Sequence, residues 1–216
     1  MSSLAGAQTT AASIPVLPQV ALQMIAHELR QPLSTIESIA YYLSLVLPPG
    51  EDRAREHVAR LQQLVEQSNW ILTCGLQMAD PTPLAPVPVD LEELIAQTVS
   101  TRTLQGHPQP ILELSGDLPT VRLDPARGRA LIENLLALFL HLASEGHPIR
   151  LRTAAEADGV LIQISTEAPG YRSQAGLGPG SALGLECARR IVQAHGGSLT
   201  VDVDPVSGIR LRAVLP

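Results

Sequence analysis

The sequence has no lysine, and this absence limits the ligands that the chain can hold. All 15 residues with a fixed positive charge are arginines, and with 21 acidic residues the formal net charge is -6. An acidic chain without a basic patch argues against nucleic-acid binding. The missing lysine also leaves no ammonium group to hold a phosphate.

Cysteine is scarce, with 2 residues in the whole chain. Cys74 and Cys187 lie far apart in the sequence and in unrelated contexts, and neither forms a CxxC or Cys/His pair with metal-ligand spacing. The sequence therefore predicts two buried free thiols in a reducing compartment, and no metal site.

Long hydrophobic runs are also missing. Residues 1–17 are expected to form a flexible tail, which lacks the basic start and apolar core of a signal peptide. The longest apolar stretch, residues 130–143, is interrupted by Glu133, Asn134 and His141 and is too short to span a bilayer. We therefore expect a cytoplasmic protein without membrane contact.

The first part of the chain predicts two long helices. Hydrophobic residues recur at alternating spacings of four and three, the heptad pattern of a helix that packs against other helices. These positions are Leu22, Ala26, Leu29, Leu33, Ile36, Ala40, Leu43 and Leu47. Pro32 is expected to kink this helix, and Pro48-Pro49-Gly50 to end it. A second helix is predicted over residues 51–79.

Two antiparallel helices joined by a tight turn make a helical hairpin, and one hairpin cannot cover both of its apolar faces. Pairing with a second copy would give a four-helix bundle, so the heptad pattern predicts a homodimer. Trp70, Tyr41 and Tyr42 are expected to pack within this bundle.

The second part of the chain mixes strands and helices. Proline-rich residues 81–89 predict a stiff linker between a hairpin domain at 18–80 and a second domain at 90–216. Asp158-Gly159 predicts a hairpin turn. The predicted fold class is α+β: a helical hairpin followed by an α/β sandwich with one mixed sheet and helices on one face.

His27 is the first candidate for chemistry. It follows Ala26 of the heptad pattern by one position, so its ring is expected to point towards solvent. An imidazole accepts a phosphoryl group because one ring nitrogen attacks while a base holds the other. Glu28 is adjacent and can act as that base. The expected kink at Pro32 lies one turn later, where it can open the bundle.

Residues 27–33, read together with the hairpin around them, resemble the H-box of sensor histidine kinases. The family pattern is a phosphorylated His, an acidic residue and an Arg/Asn-Thr/Gln-Pro-Leu run. The resemblance implies that His27 is the phosphorylated residue, Glu28 the general base, and Gln31 the residue that orients water for dephosphorylating a partner. It implies a response-regulator receiver domain as that partner.

The resemblance continues into the second domain and covers residues 18–216. Residues 88–94 resemble the entry to the family's ATP-binding domain, 123–146 its N-box region, and 180–185 its Gly-x-Gly-Leu-Gly-Leu motif. The resemblance implies the fold of the histidine-kinase ATPase domain. It places the nucleotide-binding positions at Asn134, His141, Thr166, Gly170, Gly180 and Gly184.

The nucleotide site implied in this way is degenerate. Leu138 stands where the family has the Asn that coordinates magnesium, and leucine offers no oxygen to a hard cation. Thr166 replaces the adenine-contacting Asp, and His141 stands where the family often has a Lys. Ala168 and Ala182 replace glycines at which the backbone approaches a ligand. At about 1–3 kcal/mol for each lost polar partner, nucleotide affinity is expected to fall by several decades.

Three functions remain open at this point. In the first, His27 takes a phosphoryl group from the aspartate of one receiver and passes it to another, with no cofactor required. In the second, the chain is an ATP-dependent histidine kinase core that uses ATP and magnesium in an atypical pocket, which Glu28 favours. In the third, it is a non-enzymatic dimeric pseudokinase that docks a receiver. The first two would make the chain a transferase.

Overall fold

The computed structural model describes residues 19–104, 109–142, 147–167, 179–204 and 208–216. It begins with a hairpin of two helices, α1 (Gln19–Val46) and α2 (Asp52–Ala79). Helix α1 includes Pro32 and ends at Val46, just before Pro48-Pro49-Gly50. The Arg55 guanidinium closes the turn between the helices by donating to the carbonyl oxygens of Leu47 and Pro48.

The hairpin leaves much of its apolar surface uncovered. Ala26 and Ala40 are 2% and 1% exposed. Other positions of the same heptad pattern stay open to solvent: Leu29, Ile36 and Leu43 are 46%, 40% and 39% exposed. Tyr41 and Tyr42 are also exposed in the single chain. The contact between α1 and α2 thus covers only part of the apolar face that the heptad pattern predicts.

The remaining helices and strands form the α/β part of the chain. Its helices are α3 (Leu91–Leu104), α4 (Pro125–Leu142) and α5 (Pro179–Ala194). Its strands are β1 (Val87–Val89), β2 (Ile111–Glu113), β3 (Val121–Leu123), β4 (Ile149–Glu156), β5 (Gly159–Thr166), β6 (Ser198–Asp204) and β7 (Gly208–Leu215).

Two sheets are present in the described residues. The five-stranded sheet has the order β2-β4-β5-β7-β6, in which β2 and β4 are parallel and the other pairs are antiparallel. Strands β1 and β3 form a separate antiparallel pair. The last three residues of the predicted linker, Val87–Val89, therefore form a strand that pairs with Val121–Leu123.

The core lies between one face of the large sheet and helices α4 and α5. Leu131, Ile132, Leu135 and Phe139 of α4 are 0% exposed, and they belong to the same buried cluster as inward-facing strand residues such as Ile162. Burying each large apolar side chain contributes about 1.5–3 kcal/mol. Arginines of β4 occupy the other, exposed face, as the alternating burial of that strand requires. The α/β sandwich is thus confirmed, with its helices on one face.

Glycine is required at the turn between β4 and β5. Gly159 has a φ of +141°, and a Cβ atom there would lie 2.0 Å from the carbonyl oxygen of Leu215. No L-residue with a side chain fits this backbone conformation and this contact. The hairpin turn predicted at Asp158-Gly159 is confirmed.

Asp124 begins helix α4 and connects it to the segment before β1. Its Oδ1 accepts the N–H groups of Ala126 at 3.0 Å and Arg127 at 3.1 Å. Its Oδ2 accepts the N–H group of Ala85 at 3.0 Å. These hydrogen bonds, the one from Ala85 foremost, lower the pKa of Asp124. The carboxylate is thus an N-cap that also holds the chain entering the α/β part.

Replacing Asp124 with alanine should lower the free energy of unfolding at neutral pH by about 1–2 kcal/mol, the usual value of a lost N-cap. The folded-state pKa lies below the ordinary Asp pKa of about 3.9, so the stabilising effect of ionised Asp124 is present above that value. It is lost as the pH falls through the lower, folded-state pKa. Urea titrations of wild type and Asp124→Ala at several pH values measure the difference. A difference that stays constant into strong acid would contradict this assignment.

Candidate functional site

His27 lies on α1 with its side chain exposed, directly after the buried Ala26. Its Nε2 lies 3.2 Å from the Nε2 of Gln31, one helical turn later. Because an amide nitrogen only donates, this contact is a hydrogen bond from Gln31 to the ring Nε2, which requires the tautomer that carries its proton on Nδ1. In that tautomer the nucleophilic lone pair lies on the exposed Nε2.

The neighbours of His27 divide between the two sides of α1. Glu28 is exposed like His27. Among the described residues, the ring of His27 hydrogen-bonds to Gln31. Arg30 points the other way, and its Nη2 donates to Oγ1 of Thr73 on α2 at 3.1 Å. His27, Glu28 and Gln31 are therefore accessible, while Arg30 ties α1 to α2.

Helix α2 also packs along α5, in a parallel register. We call this contact the α2–α5 junction. On α2 it consists of Gln67, Trp70, Ile71, Cys74 and Gln77, on α5 of Gly180, Gly184 and Cys187, with Asn134 of α4 beside them. Sequence reasoning assigned Trp70 to bundle packing alone and thereby missed its contact with α5. The signal that points to it is the pair of glycines four residues apart on α5, a spacing that lets two helices approach closely.

The glycines of α5 leave room for α2 side chains. A Cβ atom at Gly184 would lie 2.0 Å from Cζ2 of Trp70. A Cβ atom at Gly180 would lie 3.2 Å from Nε2 of Gln67 and from Cδ1 of Ile71. Two positions that the resemblance assigns to nucleotide binding are therefore in contact with the hairpin.

Replacing Gly184 with alanine should destabilise the protein by about 1–3 kcal/mol, the typical cost of overpacking. The new methyl group overlaps the indole ring, which cannot yield without leaving its place against Asn134. Gly75→Ala on α2 is the matched control, because a Cβ atom there meets nothing within 4 Å. The control should instead stabilise the helix by about 0.5–1 kcal/mol.

Urea denaturation measures both variants, and the fluorescence of Trp70, the 1 tryptophan of the sequence, reports the junction directly. Gly184→Ala should shift its emission to longer wavelength as the indole becomes more exposed. Equal stability and unchanged emission in Gly184→Ala would contradict the close contact.

Asn134 has a carboxamide that is fully hydrogen-bonded at the junction, and its side chain is 2% exposed. Its Oδ1 accepts from Nε1 of Trp70 at 3.2 Å and from Sγ of Cys74 at 3.4 Å. Its Nδ2 donates to Oε1 of Gln77 at 2.8 Å and to Sγ of Cys187 at 3.3 Å. Two donors and two acceptor positions are all used, so this amide has no hydrogen-bonding capacity left for a ligand.

The two cysteines are free and buried, as predicted. The expectation that their contexts are unrelated is wrong, because both sulfur atoms contact the carboxamide of Asn134. Docking of α2 on α5 brings together residues that no local pattern connects.

The other predicted nucleotide positions are only partly described. Leu138 is 2% exposed and belongs to the hydrophobic core. Thr166 ends β5, and its Oγ1 is buried without a hydrogen-bond partner among the described residues. His141 lies in the last turn of α4, but its side chain falls outside the description, as do Ala168 and Gly170. Among the described nucleotide positions, the Thr166 hydroxyl is thus a buried group whose hydrogen-bonding capacity is unused.

A surface groove of about 350 Å³ opens beside Thr166 at the ends of the central strands. Arg150 and Arg210 line it together with Asp202 and Asp204. These opposite charges largely offset one another, so the groove gives no electrostatic preference for phosphate groups.

Comparison with known proteins finds sequence similarity to sensor kinases. No family model matches the sequence. The alginate biosynthesis sensor protein KinB of Pseudomonas aeruginosa is 29% identical over 211 residues, which cover 88% of this chain and 36% of KinB. The sensor histidine kinase ZraS of Escherichia coli O157:H7 is 29% identical over 212 residues, covering 89% of this chain and 44% of ZraS. The chain thus spans less than half the length of these relatives.

Solved structures agree on the fold. Full-length ShkA, crystallised with AMPPNP, superposes with a TM-score of 0.60 over 93% of this chain and 46% of its own, at 23% identity. The histidine kinase AdeS of Acinetobacter baumannii gives a TM-score of 0.54 over 88% of this chain and 96% of its own, at 18% identity.

Within the described residues, no helix is both long and apolar enough to cross a bilayer. The helical hairpin, the α/β sandwich and the sequence relatives together lead to one family. The chain is thus similar to two-component sensor histidine kinases in sequence, and it shares the fold of solved histidine kinases.

Proposed function

We propose that this chain is a phosphotransfer protein in which His27 carries a phosphoryl group and exchanges it with the aspartate of a response-regulator receiver domain, without efficient use of ATP. The main support is the exposed imidazole of His27, whose Nε2 lies 3.2 Å from the amide nitrogen of Gln31. An exposed nucleophile on a helix surface suits a reaction in which a second protein delivers the phosphoryl group.

The transfer uses few groups of this chain. The lone pair of His27 Nε2 attacks the phosphorus of the receiver's aspartyl phosphate, an N–P bond forms, and the P–O bond to the aspartate breaks. The aspartate leaves as a carboxylate. The proton on Nδ1 is then lost to a base, for which the adjacent exposed Glu28 is the candidate. Reversal of these steps passes the phosphoryl group to another receiver.

Gln31 is placed to act on the phosphorylated form. Its amide N–H, which donates to Nε2 in the free protein, must turn aside before Nε2 attacks. After transfer the same N–H can donate to a phosphoryl oxygen, because both groups lie on the same helical face one turn apart. The same amide can orient a water for dephosphorylating a receiver.

A homodimer is part of the proposal because the hairpin alone leaves large apolar side chains in solvent. On α1 these include Met24, Ile25, Leu29, Ile36, Ile39, Leu43 and Leu45, and on α2 Leu61, Leu64 and Ile71. Exposed apolar area of this extent marks an interaction site. A second hairpin would bury it as a four-helix bundle.

The residues of the second domain do not fit a magnesium nucleotide. Leu138 supplies only hydrocarbon at the expected metal position, and the amide of Asn134 is fully hydrogen-bonded within the protein. The indole of Trp70 covers Gly184. These observations support transfer without ATP, and we derive no step through that nucleotide.

An ATP-dependent kinase core is the second candidate. One observation favours it: the buried Oγ1 of Thr166 has no partner among the described residues, and it stands where the family contacts adenine. The presence of AMPPNP in the ShkA structure gives this alternative a precedent within the fold.

Calorimetric titration of the folded protein with ATP and magnesium, up to millimolar nucleotide, separates the two candidates. We expect no detectable heat, because each missing polar contact removes about 1–3 kcal/mol of binding energy. Micromolar binding would overturn the proposal and would make autophosphorylation of His27 the next assay. Absence of binding together with uptake of a phosphoryl group from a phosphorylated receiver would support it.

A further inference from the structure

The α2–α5 junction holds the two cysteines of the sequence as a buried pair. Cys74 is 0% exposed and Cys187 is 2% exposed. Their sulfur atoms lie 3.4 and 3.3 Å from the two polar atoms of the same carboxamide, that of Asn134, and the Cys187 thiol also donates to Oε1 of Gln77 at 3.1 Å. The proposed phosphotransfer uses neither thiol.

The surroundings make the two thiols chemically unequal. The neighbouring Cys74 thiol and the hydrogen bond from Asn134 lower the pKa of Cys187 against the opposing effect of burial, and the nearby Arg127 and Arg190 act in the same direction as Cys74. The neighbouring Cys187 thiol and burial raise the pKa of Cys74. Cys187 therefore has the more nucleophilic sulfur, and Cys74 keeps its proton.

We propose that Cys74 and Cys187 are a peroxide-sensitive pair that forms an intramolecular disulfide linking α2 to α5. Hydrogen peroxide is the oxidant, and it is small enough for a confined site. Where disulfides form in reducing compartments, they are usually transient and redox-sensing, and an acidic thiol beside a resolving thiol is the usual arrangement.

The reaction proceeds in two balanced steps. The Cys187 sulfur attacks one peroxide oxygen and the O–O bond breaks, which gives a sulfenic acid and, with the thiol proton, one water. The Cys74 sulfur then attacks the Cys187 sulfur, the S–O bond breaks, and the hydroxyl leaves with the Cys74 proton as a second water. Two thiols are oxidised to one disulfide, and one peroxide is reduced to two waters.

The bond would fix the hairpin that carries His27 against the α/β part of the chain. In the reduced protein, packing and the hydrogen bonds of Asn134 hold α2 against α5, and noncovalent contacts of this kind open transiently. A disulfide between residues 74 and 187 removes that freedom. This consequence concerns domain movement and does not depend on the proposed phosphotransfer.

The test treats the full-length folded protein with hydrogen peroxide, blocks the remaining thiols with an alkylating reagent under denaturing conditions, and measures intact mass and disulfide-linked peptides. We expect a monomeric chain that has lost two hydrogens, carries no alkyl group, and yields a peptide pair joining Cys74 to Cys187. Dithiothreitol should restore both thiols.

Variants with a single serine substitution test whether Cys187 is the more nucleophilic of the two thiols. In Cys74→Ser, Cys187 should be trapped as a sulfenic acid by dimedone. In Cys187→Ser, Cys74 should remain a thiol under the same conditions. If a variant fails to fold, the wild-type result is still decisive.

Three results would overturn the proposal. They are two alkylatable thiols after peroxide treatment of the folded protein, linkage only between chains, and formation of the bond only after unfolding in urea.

Discussion

Replacing His27 with alanine is expected to remove all transfer of phosphoryl groups between this chain and a receiver domain. The imidazole Nε2 is the atom that forms the bond to phosphorus in the proposed reaction, and alanine supplies no substitute. The expected effect is therefore complete loss of labelled protein, because no slower route remains. Receiver domains of the same organism, charged with radiolabelled acetyl phosphate, serve as donors.

A matched control separates loss of the nucleophile from damage to the hairpin. His57 is also an exposed histidine, but it lies on α2. His57→Ala should accept the label at the wild-type rate. The label on the wild-type protein should be released in acid, as expected for an N–P bond.

Two outcomes would count against the assignment of His27. Label that persists in His27→Ala would place the phosphoryl group on another residue. An unlabelled His27→Ala variant that keeps full biological function would favour the non-enzymatic pseudokinase that docks a receiver.

Replacing Trp70 with alanine should have the largest effect on stability. The indole is 9% exposed, packs over Gly184 and donates its N–H to Asn134 at 3.2 Å. Removing a buried aromatic side chain typically costs about 3–5 kcal/mol. That is a large part of the 5–15 kcal/mol that usually separates folded from unfolded protein. Urea denaturation followed by circular dichroism measures the change.

Trp70→Phe divides this effect into packing and hydrogen bonding. Phenylalanine keeps a ring over Gly184 but leaves the Oδ1 of Asn134 without one of its two donors, at a cost of about 1–3 kcal/mol. Arg53→Ala, an exposed position of the same helix, should change the free energy of unfolding by less than about 0.5 kcal/mol. If Trp70→Ala were as mild as Arg53→Ala, the junction would not be a stable contact.

The link between the two predictions is the hairpin itself, which carries His27 on α1 and Trp70 on α2. If the proposed function is correct, weakening the junction should alter how the second domain is held without removing the nucleophile. Trp70→Phe should therefore retain phosphoryl uptake at His27. Loss of uptake in this variant would indicate that the junction positions the receiver-binding surface.

Much of this protein was predictable from local sequence patterns. The heptad spacing predicted both long helices because a helix repeats every 3.6 residues and places its apolar side chains on one face. The turn at Asp158-Gly159 followed from the backbone freedom of glycine, and the exposure of His27 from its position next to Ala26. The resemblance to the H-box and to the ATPase domain agrees with the relatives and with the observed fold.

Other features depend on contacts between residues that are distant in the sequence, and only the tertiary structure shows them. The prolines of residues 81–89 predict an extended, unpaired linker, yet its last three residues form strand β1, which pairs with β3. Asn134 was read as a nucleotide position, and its side chain instead joins α2, α4 and α5. Trp70 and Asn134 are 64 residues apart, and Gln77 and Cys187 are 110 apart. Periodicity describes which face of a helix is buried, but it does not say which helix covers that face.

The sequence by itself thus determined the helices, the sandwich and the exposed His27, because each depends on neighbours within a few turns of the chain. Only the tertiary structure decided that the glycines of α5 receive the indole of Trp70 and that the two cysteines meet at one carboxamide. The physical reason is that these contacts arise from the close packing of two helices whose docking is set by shape and by hydrogen bonds between distant residues.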